Sequence, residues 1–152
     1  MLDTSFDAAC KRAEKIALRL IARAEQNSLA LTVKLERRNF DPAVVKTVVS
    51  GLLDQNLLDD TRYAESWIRS RLAVKKALSP QWLLSALGKR GIGRESSLKA
   101  LDKVLDPQTE HDLLIRYLEK VRLSQEKMAF SPRAQLKREG FSSAALDMYF
   151  DN

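Results

Sequence analysis

LGKRGIG, residues 87–93, closes one helix and prepares the next within a single phrase. Leu87 opens it, three mostly polar residues follow, then Gly91, the apolar Ile92 and a capping position. The same order returns as LERRNFD (35–41) and LKREGFS (136–142). Asn39, Gly91 and Gly140 are the residues of each phrase that tolerate the left-handed backbone that ends a helix. After such a stop the next apolar residue folds back on the helix. That predicts the pairs Phe40–Leu35, Ile92–Leu87 and Phe141–Leu136.

The phrases lie 52 and 49 residues apart, so a unit of about 50 residues repeats. Proline supports the phasing. Each of the four follows Asp or Ser: Asp41-Pro42, Ser79-Pro80, Asp106-Pro107 and Ser131-Pro132. Asp and Ser accept hydrogen bonds from the first free helical N–H groups, and proline fits the next position because its missing N–H has no partner there. The chain therefore divides into long, short and medium helices, three times over. The expected spans are 7–25, 28–38 and 42–54, then 60–76, 80–90 and 94–105, then 107–127, 132–139 and 142–150. Three three-helix units follow, at 1–56, 57–105 and a shorter 106–152. The medium helices present matching apolar sets: Val45, Val48, Val49 and Leu52, then Leu98, Leu101, Val104 and Leu105, then Leu146, Tyr149 and Phe150. One stretch resists. Leu29, Leu31, Val33 and Leu35 alternate as a strand would, but their counterparts in WLLSAL and RAQL do not, so the repeat favours helix.

Hydrophobic residues make up 45% and charged residues 30%, a balance that suits a folded, soluble chain. No apolar run approaches the roughly 20 residues that span a bilayer, so no membrane is expected. The N-terminus lacks signal-peptide order. Cys10 is the sole cysteine, which excludes an internal disulfide and suits a reducing compartment, a bacterial or cytosolic interior. The sole histidine, His111, stands beside Glu110 and Asp112 and reads as a surface residue. With one Cys and one His there is no zinc set of the usual kind. No phosphate-binding glycine loop follows a strand. No cofactor, no metal and no catalytic set are expected.

Charge is the informative feature. The net formal charge is +6, yet Arg62 to Lys99 alone hold nine Lys or Arg against Glu65 and Glu95. A local field of that sign suits an anionic partner. Within it, LLDDTRYAESWIRSRL (57–72) mixes carboxylates, aromatics and arginines. Asp59 and Asp60 read as a helix start. On a helical wheel Tyr63, Ala64, Trp67, Ile68 and Leu72 share the core face. Arg62, Glu65 and Arg69 fall on the solvated side. Arg71 sits on the Trp67 side, where its stem covers the indole and its guanidinium reaches outward. Arg19 echoes it one unit earlier, which points to a structural clamp first and a contact second.

LLDDTRYAESWIRSRL resembles the signature of the RecX family of regulatory proteins. ALRLIARAEQNSLALTVKLERRNFD, LLSALGKRGIGRE and LKREGFS fit the same family in the same order and cover nearly the whole chain. The resemblance implies an all-α protein of three tandem three-helix repeats in an elongated, curved array. It implies a partner, the RecA recombinase and its nucleoprotein filament, whose ATPase, strand-exchange and coprotease activities members restrain. It implies a regulator and not an enzyme, expected as a monomer, with weak direct DNA contact allowed by its charge. Where the family carries a basic-Gly-x-Gly turn and an Arg-rich short helix, this chain has VKKALSPQWLLSALGKRG. Ala77, Leu78 and Ser79 replace the glycines, and Trp82, Leu83 and Leu84 the arginines. Trp82 reads as core; exposed, it would be a protein-contact anchor. Charge and position nominate Lys34, Arg37, Arg38, Arg69, Arg71, Lys75, Lys76, Lys89 and Arg90 as partner-binding residues. The alternatives are a helix-turn-helix-like DNA-binding module, though no short helix carries a base-reading set, and an α-repeat scaffold for another protein.

Overall fold

A computed structural model of the chain describes residues 4–123 and 132–151. Among these the protein is all-α. In chain order the helices are α1 (Thr4–Arg23), α2 (Ser28–Glu36), α3 (Pro42–Asp54), α4 (Asp60–Ala73), α5 (Pro80–Lys89), α6 (Arg94–Val104), α7 (Pro107–Leu123), α8 (Pro132–Arg138) and α9 (Ser143–Phe150). Each falls on an expected span. The expected continuation of α7 to residue 127 and the Ser131 cap lie outside the described residues.

Local chemistry sets the ends. Prolines 42, 80, 107 and 132 each begin a helix. Asp41 accepts from the Ala43 N–H at 2.9 Å, Ser79 from Trp82 at 3.1 Å and Asp106 from Thr109 at 2.8 Å. These bonds satisfy N–H groups that a helix leaves free at its start. Asn39, Gly91 and Gly140 all take positive φ, at 66°, 89° and 96°. Phe141 N–H then donates to the Leu136 carbonyl at 3.2 Å, the expected fold-back. The alternating stretch is helical because burial decides it. Leu31 and Leu35, one turn apart, are fully buried, while Leu29 is exposed. Each such leucine contributes about 1.5–3 kcal/mol.

The chain forms two compact units. The first runs to Tyr63 and includes Arg90–Ile92. In it α1 and α2 pack on α3, around Ala13, Ala17, Leu31, Leu35, Val44, Val45, Val48, Val49, Leu52 and Leu58. Asp59 starts α4 by accepting from Arg62 N–H at 3.0 Å. Asp60 does something the sequence did not reveal: it accepts from the Ser28 N–H at 2.8 Å and from the Ser28 hydroxyl at 2.5 Å. The first residue of α4 thus closes the start of α2.

The second unit comprises Ala64–Lys89 and everything from Gly93 onward. There α5 packs on α6, and α7 and α8 pack on α9. Leu83, Leu87, Leu101, Val104, Leu113, Leu114, Leu136, Phe141 and Leu146 are buried. Three residues of the matching apolar sets are exposed: Leu98, Tyr149 and Phe150. Leu98 borders an open cleft. Tyr149 and Phe150 meet edge to face with centroids 5.0 Å apart, and Arg133 lies 6.0 Å from the Phe150 ring. His111, expected at the surface, is half-buried.

The end of α8 is joined to the start of α5. The Glu139 carbonyl accepts from Gln81 N–H at 2.8 Å, and the Ser79 hydroxyl donates to the Glu139 carboxylate at 3.2 Å. Gly140 permits this approach: a Cβ there would stand 2.9 Å from the Gln81 nitrogen and 3.0 Å from Pro80 Cβ. Gly91 stands close to Leu29: a Cβ there would come within 2.2 Å of the leucine side chain. Leu29 and Gln81 are equivalent positions of the repeat. Gly140→Ala is expected to cost about 1–3 kcal/mol, because left-handed strain adds to the clash. Gly88→Ala, in α5 with nothing within 4 Å of its Cβ, should be neutral or stabilising. Urea unfolding of the two variants checks the contrast.

Candidate functional site

The nominated cations divide between the compact units. In the first, Lys34, Arg37 and Arg38 crowd the C-terminal end of α2, where positive charge complements the helix dipole. Lys34 is half-buried and its Nζ donates to Gln26 Oε1 at 2.8 Å. Arg38 is exposed and bonds the Lys34 carbonyl at 3.4 Å. Arg37 is exposed. Arg90 is exposed and donates to the Tyr63 hydroxyl at 3.2 Å. Arg62, also in this unit, pairs with Glu25 at 3.0 Å.

In the second unit Arg69, Arg71, Lys75 and Lys76 gather where α4 ends, and all are exposed. Lys89 is exposed at the end of α5. Arg69 is the least available of the five. Glu65, placed by the wheel on the solvated side, is only 8% exposed. It lies 3.9 Å from Arg69 and 3.4 Å from Lys103 of α6. The wheel gave its direction on α4, but not that Lys103 would arrive over it. Two cations account for the burial of this carboxylate, since an unpaired buried charge is costly.

The centre of this region is aromatic. Trp67 and Trp82 stack with centroids 6.3 Å apart and planes at 16°. Arg71 lies 5.9 Å from the centroid of Trp67. Trp82, read from sequence as core, is instead 46% exposed. The buried face of α5 is taken by Leu83 and Leu87, one turn apart, which leaves Trp82 outside against Trp67. A stacked pair is worth about 0.5–1.5 kcal/mol and an exposed cation–π contact about 0.5–1. These contacts hold the two indoles in one place while leaving apolar area uncovered. Beside Trp82 an open cleft of about 330 Å³ is lined by Ala77, Leu78, Tyr117 and Lys120 among others. The stack escaped the sequence reading because it depends on α4 and α5 meeting, which neither helix shows by itself. Its one written signal was the tryptophan standing where an arginine is usual.

No family model matches the chain. Individual relatives do. The regulatory protein RecX of Treponema pallidum is 39% identical over 117 residues, spanning 77% of this chain and 71% of that one. The chain belongs to the RecX family. The RecX of Mycobacterium sp. strain KMS is 31% identical over an alignment covering 91% of this chain and 80% of its own. Two crystal structures share the fold. One, of a regulatory protein RecX, matches with a TM-score of 0.70 and 21% identity over 100% of this chain and 79% of that one. The other, RecX of Lactobacillus salivarius, gives 0.67 and 18% over 95% and 96%. RecX relatives are named for regulation and not for catalysis. Among the described residues no cluster of His, Cys, Asp and Glu could hold a metal ion, and no helix is long and apolar enough to cross a membrane.

Glu65 therefore organises the basic region without contributing to it. Glu65→Gln should cost about 1–2 kcal/mol, because the amide cannot offset Lys103 and Arg69. Being shielded, the loss should persist in high salt, unlike that of an exposed pair. Urea unfolding at low and high ionic strength measures both.

Proposed function

We propose that this chain binds the RecA recombinase or its DNA filament in the bacterial cytoplasm. It restrains ATP hydrolysis, strand exchange and coprotease activity. Membership of the RecX family supports the partner. The observation that supports the site is the exposed Trp82, stacked on Trp67 beside Arg71. Fixed aromatics with a neighbouring arginine are the residue types that dominate protein interfaces. Lys75 and Lys76 add a field that steers an acidic surface or filament phosphates toward them. Lys34, Arg37, Arg38, Lys89 and Arg90 serve as outlying electrostatic contacts, and Arg69 contributes less because Glu65 offsets it. In this reading residues 1–56, 57–105 and 106–152 are three copies of one structural unit, each modified for a different share of the contact.

Direct binding of single-stranded DNA is the second reading, since an exposed indole beside cations also stacks on bases. One titration separates the two. Added at or below equimolar ratio, this protein is expected to slow DNA-dependent ATP hydrolysis by its cognate RecA. Trp82→Ala should weaken that effect about tenfold, a loss of about 1.4 kcal/mol. Unchanged hydrolysis at every ratio overturns the proposal. If the chain then binds naked DNA with a steep salt dependence, the second reading takes its place.

A further inference from the structure

The second compact unit holds a larger cleft, of about 700 Å³, that none of the nominated residues lines. That volume lies within the range of about 300–1,000 Å³ usual for ligand sites. Leu98, Leu101, Leu105 and Met148 give it apolar walls, and Leu98 is 45% exposed. Asp102 and Asp106 are its exposed acids. The third acid, Glu110, is turned to the Ser142 hydroxyl. No lysine or arginine lines it. The cations of α6 are engaged elsewhere: Lys99 with Glu95 and Lys103 with Glu65. Asp102 has no hydrogen bond or ion pair among the described residues. Asp106 spends its oxygen on capping α7, and the Thr109 N–H that it accepts holds its carboxyl below the usual range, so it stays charged. An apolar cleft with two unneutralised acids is an anomaly in a chain of net charge +6.

Its complement stands on the same unit, in VKKAL (74–78). Val74 is 52% exposed, and Lys75 and Lys76 are exposed with no ion pair among the described residues. Leu78 is half-buried. The backbone here breaks a rule kept elsewhere in the chain. Five described residues take positive φ within the left-handed region: Asn39, Asn56, Gly91, Gly140 and Lys75. Four are the types that occupy it readily. Lys75, at φ 57°, is not, and it closes α4 by donating its N–H to the Leu72 carbonyl at 3.0 Å. A side chain with a Cβ costs about 1–2 kcal/mol there. That cost buys nothing within the fold that glycine or asparagine would not supply. It does present two adjacent ammonium groups between two apolar residues.

We infer that Val74–Leu78 of a second copy docks in the Leu98–Asp102–Asp106 cleft, so that copies associate weakly head to tail. Val74 and Leu78 cover the leucine walls, and Lys75 and Lys76 meet the two aspartates. The donor and acceptor are different surfaces, so the contact is heterologous and one copy can add to the next. The inference stands independently of the recombinase reading, because it concerns this chain alone. It extends the role of Lys75 and Lys76 from one partner to two.

Sedimentation velocity on the full chain, from micromolar to near-millimolar concentration in low salt, tests it. The weight-average sedimentation coefficient should rise with concentration and fall back as salt is added. Asp102→Lys should weaken association about tenfold or more, and so should Lys75→Glu with Lys76→Glu. All three positions are exposed, and circular dichroism verifies that each variant is folded. Mixed one to one, the two variants should associate again, since each supplies what the other has lost. Leu98→Ser is expected to weaken association without altering charge. Sedimentation independent of concentration overturns the inference. So does association that Asp102→Lys leaves intact, or a mixture that fails to restore it.

Discussion

A helix leaves its first N–H groups and last carbonyls without partners, and a short helix has few other bonds to offset them. Four described helices, α2, α5, α8 and α9, have ten residues or fewer, and much of the architecture answers that deficit. Some answers are local, as where Asp41, Asp59, Ser79, Asp106 and Ser142 cap their own helices. The more consequential ones are distant. Ser28, first in α2, is satisfied by Asp60 of α4. At the equivalent place in α5 stands Pro80, which has no N–H, and the bond moves one residue on, to Gln81 and the Glu139 carbonyl. A free donor at one helix start thus meets a free acceptor at another helix end. Both groups would be costly to leave unpaired.

The glycines follow from this. Gly91 stands against the Leu29 side chain and Gly140 against Pro80 and the Gln81 backbone, at corresponding positions of the sequence repeat. In each, a left-handed stop is pressed against the start of the short helix in the preceding three-helix run. Conformation and proximity ask for the same residue. Asn39 stands in the first phrase with the same sign of φ. LERRNFD, LGKRGIG and LKREGFS thus each encode one left-handed stop.

What could be read in advance was the part that local chemistry controls. Proline, Asp, Ser, Asn and Gly announce helix ends through their own dihedrals and side-chain bonds, so the described helices were legible to within about three residues at each end. What could not be read was which residue arrives opposite which. The wheel assigned Glu65 to water, correct for α4 alone, and Lys103 then covered it. Trp82 reads as core from its residue type, and Leu83 and Leu87 filled that place instead. Leu98, Tyr149 and Phe150 have the apolar character of their counterparts in α3, but they are exposed. The candidate site was half visible for the same reason. Its charges are written in the sequence, whereas the stacking of Trp67 on Trp82 depends on two helices meeting.

The bond between Ser79 and Glu139 spans 60 residues, and that between Ser28 and Asp60 spans 32. Each therefore finishes a short helix with a group that the ribosome delivers much later. As the chain emerges, α2 has Asn27 to hold its first turn but waits for Asp60. The start of α5 has Ser79 but waits until α8 has been made. Contacts this far apart in sequence carry the closure entropy that slows folding. The distant caps therefore form later than the local bonds of the helices that they close. Maturation of this molecule thus has a direction, from the N-terminal run toward the C-terminal one, and it is written in which helix starts lack a complete set of partners of their own.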